Sequence, residues 1–193
     1  MATHQAELPL TLSRFSQLLI IDAQERLAAA MPPEDLERAL ANIERLISAA
    51  RTLGIPIIAT EHNPKGLGPI LPAIAQQLPP EVAPTEKTCF SCCTAAGFEH
   101  NLDREPGRKQ VIMVGMEAHI CILQTASGLH RWGYQVFVAE DAICSRRPAL
   151  RLNAVERMRH SVIQITSSES VAFEWLADST HEHFREILSL FKG

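Results

Sequence analysis

Residues 17–22 read QLLIID, a run of four large apolar residues that ends in a carboxylate. A short, continuous apolar run is typical of a strand that is buried on both faces. After it, apolar residues recur at helical spacing from Leu36 to Leu53, and Gly54 is typical of the residue that ends a helix. A second strand is predicted at residues 57–60. This strand–helix–strand order predicts a parallel sheet with helices packed on its faces.

The alternation of strands and helices continues along the rest of the chain. A short helix is predicted to end near residue 78, strands are predicted at residues 82–83, 111–114, 135–139 and 162–165, and further helices at residues 94–102, 120–131, 149–158 and 181–190. No linker, internal repeat or low-complexity segment interrupts this pattern. We therefore predict an α/β fold, a three-layer α/β/α sandwich of Rossmann-like type, with a single domain at residues 15–193 after an N-terminal extension at residues 1–14.

Composition and charge argue against several classes of function. The 193 residues carry a formal net charge of −4, and no basic stripe supports binding to nucleic acid or to an anionic membrane. No apolar run approaches the roughly 20 residues of a membrane span, and residues 1–14 lack the pattern of a signal peptide, so we expect a cytoplasmic protein. The five cysteines, an odd number, are expected to be free thiols rather than a disulfide framework.

Three residues with charged or reactive side chains follow predicted strands. Asp22 follows the first strand directly, Lys87 follows the weak third strand, and Cys121 lies shortly after residues 111–114, where a helix should begin. The carboxyl ends of parallel strands form one edge of a sheet, so the three side chains can meet there. A thiolate attacks carbonyl groups, an ammonium and a helix N-terminus favour the thiolate, and a carboxylate can accept its proton. We therefore predict that Cys121 is a nucleophile with a depressed pKa, although each residue alone also fits an ordinary structural position.

Three segments of the chain, taken in order, resemble a known family. They are LIIDAQ at residues 19–24, EKTCFS at residues 86–91 and GMEAHIC at residues 115–121. Together they resemble the isochorismatase-like hydrolase superfamily. With NPKGLGP at residues 63–69 they resemble in particular its branch of isochorismatase domain-containing proteins.

The resemblance implies a fold and a set of roles. The family has a six-stranded parallel sheet and an Asp-Lys-Cys triad, which by motif is Asp22, Lys87 and Cys121. The resemblance also implies a cis peptide between Met116 and Glu117, with the backbone N–H groups of Glu117 and Cys121 as an oxyanion hole, and it implies a homo-oligomer. No organic cofactor is expected, because the chain has no Gly-x-Gly-x-x-Gly motif or phosphate-binding loop.

The sequence departs from relatives that hold a metal. Nicotinamidases of this superfamily bind a metal through an Asp-x-His motif and a further histidine, whereas residues 60–64 read TEHNP here. Only His62 can serve as a ligand, with Glu61 as a weak second, and a catalytic metal usually has three protein ligands. We therefore expect no metal and a substrate other than nicotinamide.

True isochorismatases lack the nucleophilic cysteine, so Cys121 favours attack on an amide or related C–N bond over cleavage of a vinyl ether.

A few further residues have two interpretations. Glu61, Phe90 and His119 are candidates for the substrate pocket, although Phe90 and His119 fit a packed or solvent-facing position equally well. Cys89 and Cys92 have the spacing of a redox or zinc pair. A redox pair of this type lies directly after a strand and at the start of a helix, and this segment fits that position only loosely, so two small packed residues are the favoured interpretation.

The sequence as a whole predicts a metal-independent cysteine hydrolase that cleaves a small amide-like (C–N) or related carbonyl substrate through a covalent Cys121 intermediate. The expected partner is that small molecule. Three alternatives stay open. They are a binding or regulatory protein that keeps the fold, a vinyl-ether hydrolase of the isochorismatase type, and a thiol redox or zinc protein that uses Cys89 and Cys92.

Overall fold

A computed structural model describes residues 8–192 of the chain. Its centre is a six-stranded sheet in the order β3-β2-β1-β4-β5-β6, and every strand pairing is parallel. The strands are β1 (Ser16–Ile21), β2 (Ile57–His62), β3 (Thr85–Lys87), β4 (Gln110–Met116), β5 (Gln135–Cys144) and β6 (Gln164–Thr166).

The helices connect the strands and cover both faces of the sheet. They are α1 (Glu25–Ala28), α2 (Pro33–Thr52), α3 (Pro64–Leu67), α4 (Pro72–Ala75), α5 (Phe98–Leu102), α6 (Leu123–Arg131), α7 (Pro148–Arg159), α8 (Ser168–Leu176) and α9 (Phe184–Phe191). Short 3₁₀ turns occur at Ser13–Phe15 and Cys92–Thr94, and a single π-helical turn at Ala118–Ile122 leads into α6.

The sheet separates two apolar cores, and the side chains of β1 alternate between them. Leu18 and Ile20 pack into the core beneath α2, α8 and α9, whereas Leu19 and Ile21 pack into the core beneath α5, α6 and α7. This alternation is why the first strand reads as a continuous apolar run, since both of its faces are buried. The predicted three-layer α/β/α sandwich around a six-stranded parallel sheet is confirmed.

The order of the strands reverses between β1 and β4, because β2 and β3 extend to one side of β1 and the later strands to the other. In open α/β sheets, ligands bind in the crevice beyond the carboxyl ends of the strands at such a point. Ile21 pairs there with Gly115, where an added Cβ would lie 2.0 Å from the Ile21 carbonyl oxygen, so only glycine fits. The polar residues that follow Ile21 and Gly115 therefore stand at the mouth of this crevice.

Some element boundaries differ from the sequence-based prediction. The third strand lies at Thr85–Lys87 rather than at residues 82–83, because Pro84 follows that pair and lacks the N–H donor of a strand residue. The helix predicted at residues 94–102 is confined to Phe98–Leu102, since Gly97 adopts a left-handed conformation with φ +79°. The helix Ser168–Leu176 was not predicted, although the side chain of Ser167 caps it by accepting a hydrogen bond from the Ser170 N–H.

Part of the predicted N-terminal extension packs on the domain. The buried Thr11 donates its backbone N–H to the carboxylate of Glu174 on α8 over 2.6 Å. Residues 1–7 and 193, which belong to the predicted extension and domain, lie outside the described residues. Within residues 8–192, no helix combines the length and the apolar character needed to cross a membrane.

Candidate active site

Three strand ends bring Asp22, Lys87 and Cys121 together at the crevice. Asp22 follows β1 with a positive φ of 49°, and Lys87 is the last residue of β3, two strands away. The Lys87 side chain reaches across the end of β2, so that its Nζ lies 2.5 Å from Asp22 Oδ2 and 3.6 Å from Cys121 Sγ. The side chains of Asp22 and Lys87 are 0% exposed. The ammonium is therefore a buried bridge between the carboxylate and the thiol.

Thr60 on β2 completes the surroundings of the carboxylate. Its hydroxyl donates to Asp22 Oδ1 over 2.7 Å, so each oxygen of Asp22 accepts a hydrogen bond. The sequence analysis did not single out Thr60. Thr60 is the last residue of the strand predicted at residues 57–60, which is the sequence signal for its position. Its pairing with Ile21 places it at the same edge of the sheet as Asp22.

Cys121 lies in the π-helical turn Ala118–Ile122 and is only 5% exposed. Single π-helical turns occur frequently at functional sites. The peptide between Met116 and Glu117 is cis, as the family resemblance implied. The buried carboxylate of Glu117 accepts two hydrogen bonds from Arg146. The backbone N–H of Arg146 donates over 2.9 Å, and the Arg146 Nε donates over 3.1 Å. These bonds fix the loop that precedes the thiol.

The charges of the site act on the thiol in opposite directions. Burial raises the pKa of Cys121 above its ordinary value, the negative charge of Asp22 raises it further, and the positive charge of Lys87 lowers it. The net pKa is raised, so the prediction of a depressed pKa is wrong. The physical reason is the depth of the sulfur, because burial penalises the charged thiolate more than the single ammonium offsets. The resting thiol is thus protonated near neutral pH.

Lys87 keeps its charge despite being buried. Burial alone acts to lower the pKa of Lys87, but Asp22, and to a smaller extent Cys92 and Cys121, raise it, and the net pKa is raised. The lysine is therefore an ammonium near neutral pH, with Asp22 as its counter-ion. A buried charge is stable only when it is paired in this way.

Replacing Asp22 with asparagine is expected to speed the alkylation of Cys121 at neutral pH while slowing any hydrolysis. Because the charge of Asp22 raises the pKa of the thiol, its removal lowers that pKa and increases the thiolate fraction at a given pH. Each unit by which the pKa of Cys121 falls raises the thiolate fraction about tenfold, but the thiolate also becomes less nucleophilic. The labelling rate is therefore expected to rise only about threefold for each pKa unit. The rate is measured by iodoacetamide labelling between about pH 6 and pH 9, a range that includes the ordinary pKa of a thiol. Mass spectrometry then quantifies the labelled peptide that contains Cys121.

The exposed Glu34 provides the control for that experiment, because Glu34→Gln removes one negative charge on the first turn of α2. Circular dichroism should be recorded for both variants, so that unfolding is not mistaken for reactivity. Slower labelling of Cys121 in folded Asp22→Asn than in the wild-type protein would contradict the electrostatic description of the site.

The pocket candidates occupy three different positions. Phe90 is 50% exposed and stacks on His62, with ring centroids 5.5 Å apart, so it forms a wall at the mouth of the site. His119, two residues before Cys121, has its Nδ1 3.0 Å from the hydroxyl of Ser145, and burial lowers its pKa. Glu61 instead accepts a hydrogen bond from the Ile70 N–H over 2.7 Å.

Strand geometry explains why Glu61 differs from its neighbours. Successive side chains of a strand point to opposite faces of the sheet. Thr60 contacts Asp22, so His62 shares its face and Glu61 points to the other one. A cavity of about 250 Å³ on that side is lined by Glu61 and Ile70 among others. The contacts of Glu61 thus support a structural role.

A metal would have to compete with the ammonium of Lys87. Asp22, His62 and Cys121 each present one ligand atom, and these atoms lie within 4.8 Å of one another. Three protein ligands are typical of a catalytic zinc site. However, Lys87 Nζ lies 2.5 Å from Asp22 Oδ2 and 3.6 Å from Cys121 Sγ, so a positive charge already stands between two of the three ligands. The donor set therefore fits an ion pair with a thiol better than it fits a divalent cation.

The pair Cys89 and Cys92 lacks the features of a redox or zinc site. All five cysteines are free thiols, as predicted. Cys92 is buried, and burial raises its pKa to about 12, which keeps it as a protonated thiol. Among the described residues, no group of three metal-ligating side chains includes Cys89 or Cys92. Cys92 packs beneath the site, where its sulfur lies 3.9 Å from the Thr60 hydroxyl.

A cavity of about 430 Å³ lies away from the three residues. It is lined by residues at the opposite ends of the strands, among them Gln17, Gly54 and Ile57, and by none of Asp22, Lys87 and Cys121. The chemistry of the crevice, which holds a thiol, a carboxylate and an ammonium in contact, identifies it as the candidate site despite the volume of this cavity.

Comparison with known proteins agrees with the fold. The model of the family described as Isochorismatase domain matches residues 16–170. The chain is 35% identical over 192 residues to isochorismatase domain-containing protein 2 of Bos taurus, an alignment that covers 100% of this chain and 90% of that protein. It is 36% identical over 194 residues to isochorismatase domain-containing protein 2A of Mus musculus, again with 100% and 90% covered. The chain therefore belongs to the isochorismatase family, as the sequence motifs indicated.

Solved structures with the same fold extend this finding. The MAR1 ribonuclease from Caenorhabditis elegans is similar with a TM-score of 0.88 and 34% identity, and the match covers 95% of this chain and 92% of that one. The YcaC gene product of Escherichia coli, described as an octameric hydrolase of unknown specificity, has a TM-score of 0.86 at 21% identity, with 97% and 91% covered. At that identity the likeness to YcaC shows the fold alone.

Proposed function

We propose that this protein is a metal-independent cysteine hydrolase that acts on a small amide-like (C–N) or related carbonyl compound through a covalent Cys121 intermediate. The observation that carries the proposal is the buried bridge formed by Lys87 Nζ, 2.5 Å from Asp22 Oδ2 and 3.6 Å from Cys121 Sγ. An ammonium beside a thiol stabilises negative charge on the sulfur, and a carboxylate beside both can accept the thiol proton.

The electrostatics of the site favour attack that is coupled to proton transfer. Because the raised pKa keeps the Cys121 thiol protonated at rest, Asp22 takes the proton as the sulfur bonds to the substrate carbonyl carbon. Lys87 offsets the negative charge that develops on the sulfur. The backbone N–H groups of Glu117 and Cys121 are proposed to donate to the oxyanion. Asp22 then returns the proton to the leaving nitrogen as the C–N bond breaks, which leaves an acyl group on the sulfur.

Three other functions are less well supported. A vinyl-ether hydrolase needs an acid but no nucleophile, and so would not use the contact between Lys87 and the thiol of Cys121. The name ribonuclease belongs to the Caenorhabditis elegans neighbour, and the net charge of −4 on this chain supplies no general attraction to a polyanion such as RNA. A binding protein without turnover would make no use of a thiol placed beside an ammonium and a carboxylate.

A substrate panel with a chelator arm tests the proposed function. Primary amides, anilides, ureido compounds and p-nitrophenyl esters should be incubated with purified protein, with and without EDTA. We expect hydrolysis of at least one carbonyl compound at the same rate in both arms, because the triad alone supplies nucleophile, base and electrostatic stabilisation. Activity that is lost with EDTA and restored by zinc would contradict the metal-independent mechanism, and turnover of vinyl ethers alone would contradict covalent attack.

We also propose that the chain forms a homo-oligomer. The YcaC gene product, which shares the fold, is described as octameric, and association would remove from water the exposed apolar side chains of Trp132, Leu152 and Val162. The family resemblance points in the same direction. Light scattering on the purified chain measures the number of subunits, and a monomer at all concentrations would contradict the proposal.

A further inference from the structure

We propose that His62 is a second catalytic base of this site, which activates the water that hydrolyses the acyl group from Cys121. The inference rests on the proposed cysteine-hydrolase function and adds a residue to it. The sequence analysis considered His62 only as a metal ligand. In the structure one of its ring nitrogens lies within 4.8 Å of both the Cys121 sulfur and an Asp22 carboxyl oxygen.

The position of the imidazole is well defined by its surroundings. The His62 backbone N–H donates to Gln24 Oε1 over 2.7 Å, and its carbonyl accepts from Gln24 Nε2 over 3.1 Å. Its ring stacks on Phe90 with an angle of 22° between the ring planes. Strand alternation gives His62 the same face as Thr60, whose hydroxyl contacts Asp22. The ring is thus held toward the triad by backbone pairing on one side and by stacking on the other.

The imidazole also has an unused hydrogen-bonding atom. Its Nδ1 is buried and has no hydrogen-bond partner among residues 8–192. Buried polar atoms are nearly always paired in folded proteins, so an unpaired ring nitrogen on a histidine that lies beside a nucleophile points to a partner that arrives during the reaction. A neutral imidazole nitrogen can accept a proton near neutral pH, which makes this residue type the commonest general base.

Access from solvent distinguishes His62 from Asp22 as the base for water. The side chains of Asp22 and Lys87 are 0% exposed. His62 is partly exposed and stacks on the half-exposed Phe90 at the mouth of the site. Water that enters the site after acylation therefore meets His62 before it can reach Asp22.

The proposed step is a hydrolysis of the thioester formed on Cys121. The water oxygen bonds to the acyl carbon while His62 takes one proton from the water. The carbon–sulfur bond then breaks, its electron pair returns to the sulfur, and the proton passes from His62 to the sulfur. The products are a carboxylic acid and the Cys121 thiol, so no other reactant is needed. Asp22 and Lys87 act in the first half of the reaction, and His62 acts in the second.

The test separates the two halves of the reaction with p-nitrophenyl acetate as the probe. Acylation releases p-nitrophenolate once per site, whereas continued release requires hydrolysis of the acetyl group. His62→Gln keeps a hydrogen-bonding side chain of similar reach but cannot exchange a proton. We expect it to acylate at the wild-type rate and to turn over about 10²–10⁴-fold more slowly, with acetylated Cys121 accumulating in the mass spectrum. Added imidazole should restore turnover in His62→Ala, which a merely structural role would not allow.

His130→Gln is the matched control, because His130 is an exposed histidine on the last turn of α6 and should behave as the wild-type protein. Wild-type turnover by folded His62→Gln would overturn the inference, and so would loss of acylation together with turnover. If the wild-type protein neither forms an acetyl adduct nor hydrolyses the probe, the proposed cysteine-hydrolase function itself fails, and the role of His62 fails with it.

Discussion

Replacing Cys121 with serine is expected to lower turnover by at least about 10⁴-fold while the protein stays folded. Serine keeps the size of the side chain, but its hydroxyl is a far weaker acid than a thiol, so Lys87 and Asp22 cannot generate the nucleophile. A large loss is expected because, in the proposed mechanism, the three residues act as a unit and the remaining groups cannot complete covalent attack. Initial rates on the best substrate of the panel, together with circular dichroism and thermal melting, measure both parts of the expectation.

Cys89→Ser is the control for that substitution. Cys89 is a partly exposed free thiol in the same segment as Lys87, so its replacement removes a sulfur near the site without removing the proposed nucleophile. We expect near-normal turnover from this variant. Normal turnover by Cys121→Ser, or loss of turnover in Cys89→Ser alone, would contradict the assignment and would favour a mechanism without the Cys121 thiol.

Replacing Lys87 with methionine is expected to lower the free energy of unfolding by about 3–5 kcal/mol and to abolish most activity. The substitution removes the ammonium from a pair whose two side chains are fully buried, and it leaves the carboxylate of Asp22 without a counter-ion. An unpaired buried charge is much less stable than the same charge in a pair. Chemical denaturation at neutral pH measures the loss of stability, and the substrate panel measures the loss of activity.

Two further variants make this expectation specific to the pair. Lys65→Met removes an exposed lysine on α3 and should change the free energy of unfolding by less than about 0.5 kcal/mol. The double variant Asp22→Asn/Lys87→Met removes both charges of this buried pair, so its loss of stability should be smaller than the sum of the two single losses. Asparagine is chosen because it tolerates the positive φ of 49° at position 22. Additive losses would show that Asp22 and Lys87 are not coupled.

The placement of the triad could be predicted in part from the chain alone. The apolar runs that precede Asp22 and Cys121 identify buried strands, and parallel strands place their carboxyl ends at one edge. The contact of Lys87 could not be predicted in the same way, because it depends on the strand order β3-β2-β1 and on a side chain that reaches across β2. Pro84 also shifted the third strand, so Lys87 ends that strand instead of following it.

The chemistry of the thiol was harder to predict than its position. A cysteine at a helix start near a lysine is usually expected to have a depressed pKa, but the burial of Cys121 and the charge of Asp22 raise it instead. Burial depth depends on how the helices cover the sheet, and no local pattern reports it. The face of the sheet on which His62 lies does follow from a local pattern. Side chains alternate along β2, so His62 lies on the same face as Thr60 and on the opposite face from Glu61.

The central claim is that Cys121 carries the covalent intermediate, and peptide mapping of a rapidly quenched reaction tests it most directly. Protein is mixed with p-nitrophenyl acetate, quenched in acid within the first turnover, digested and analysed by mass spectrometry. We predict an acetyl group on the peptide that contains Cys121, in greater amount in His62→Gln than in the wild-type protein, and none on this peptide in Cys121→Ser. Hydrolysis that proceeds while the peptide containing Cys121 stays unmodified, or an acetyl group that forms and decays at another cysteine instead, would contradict the account.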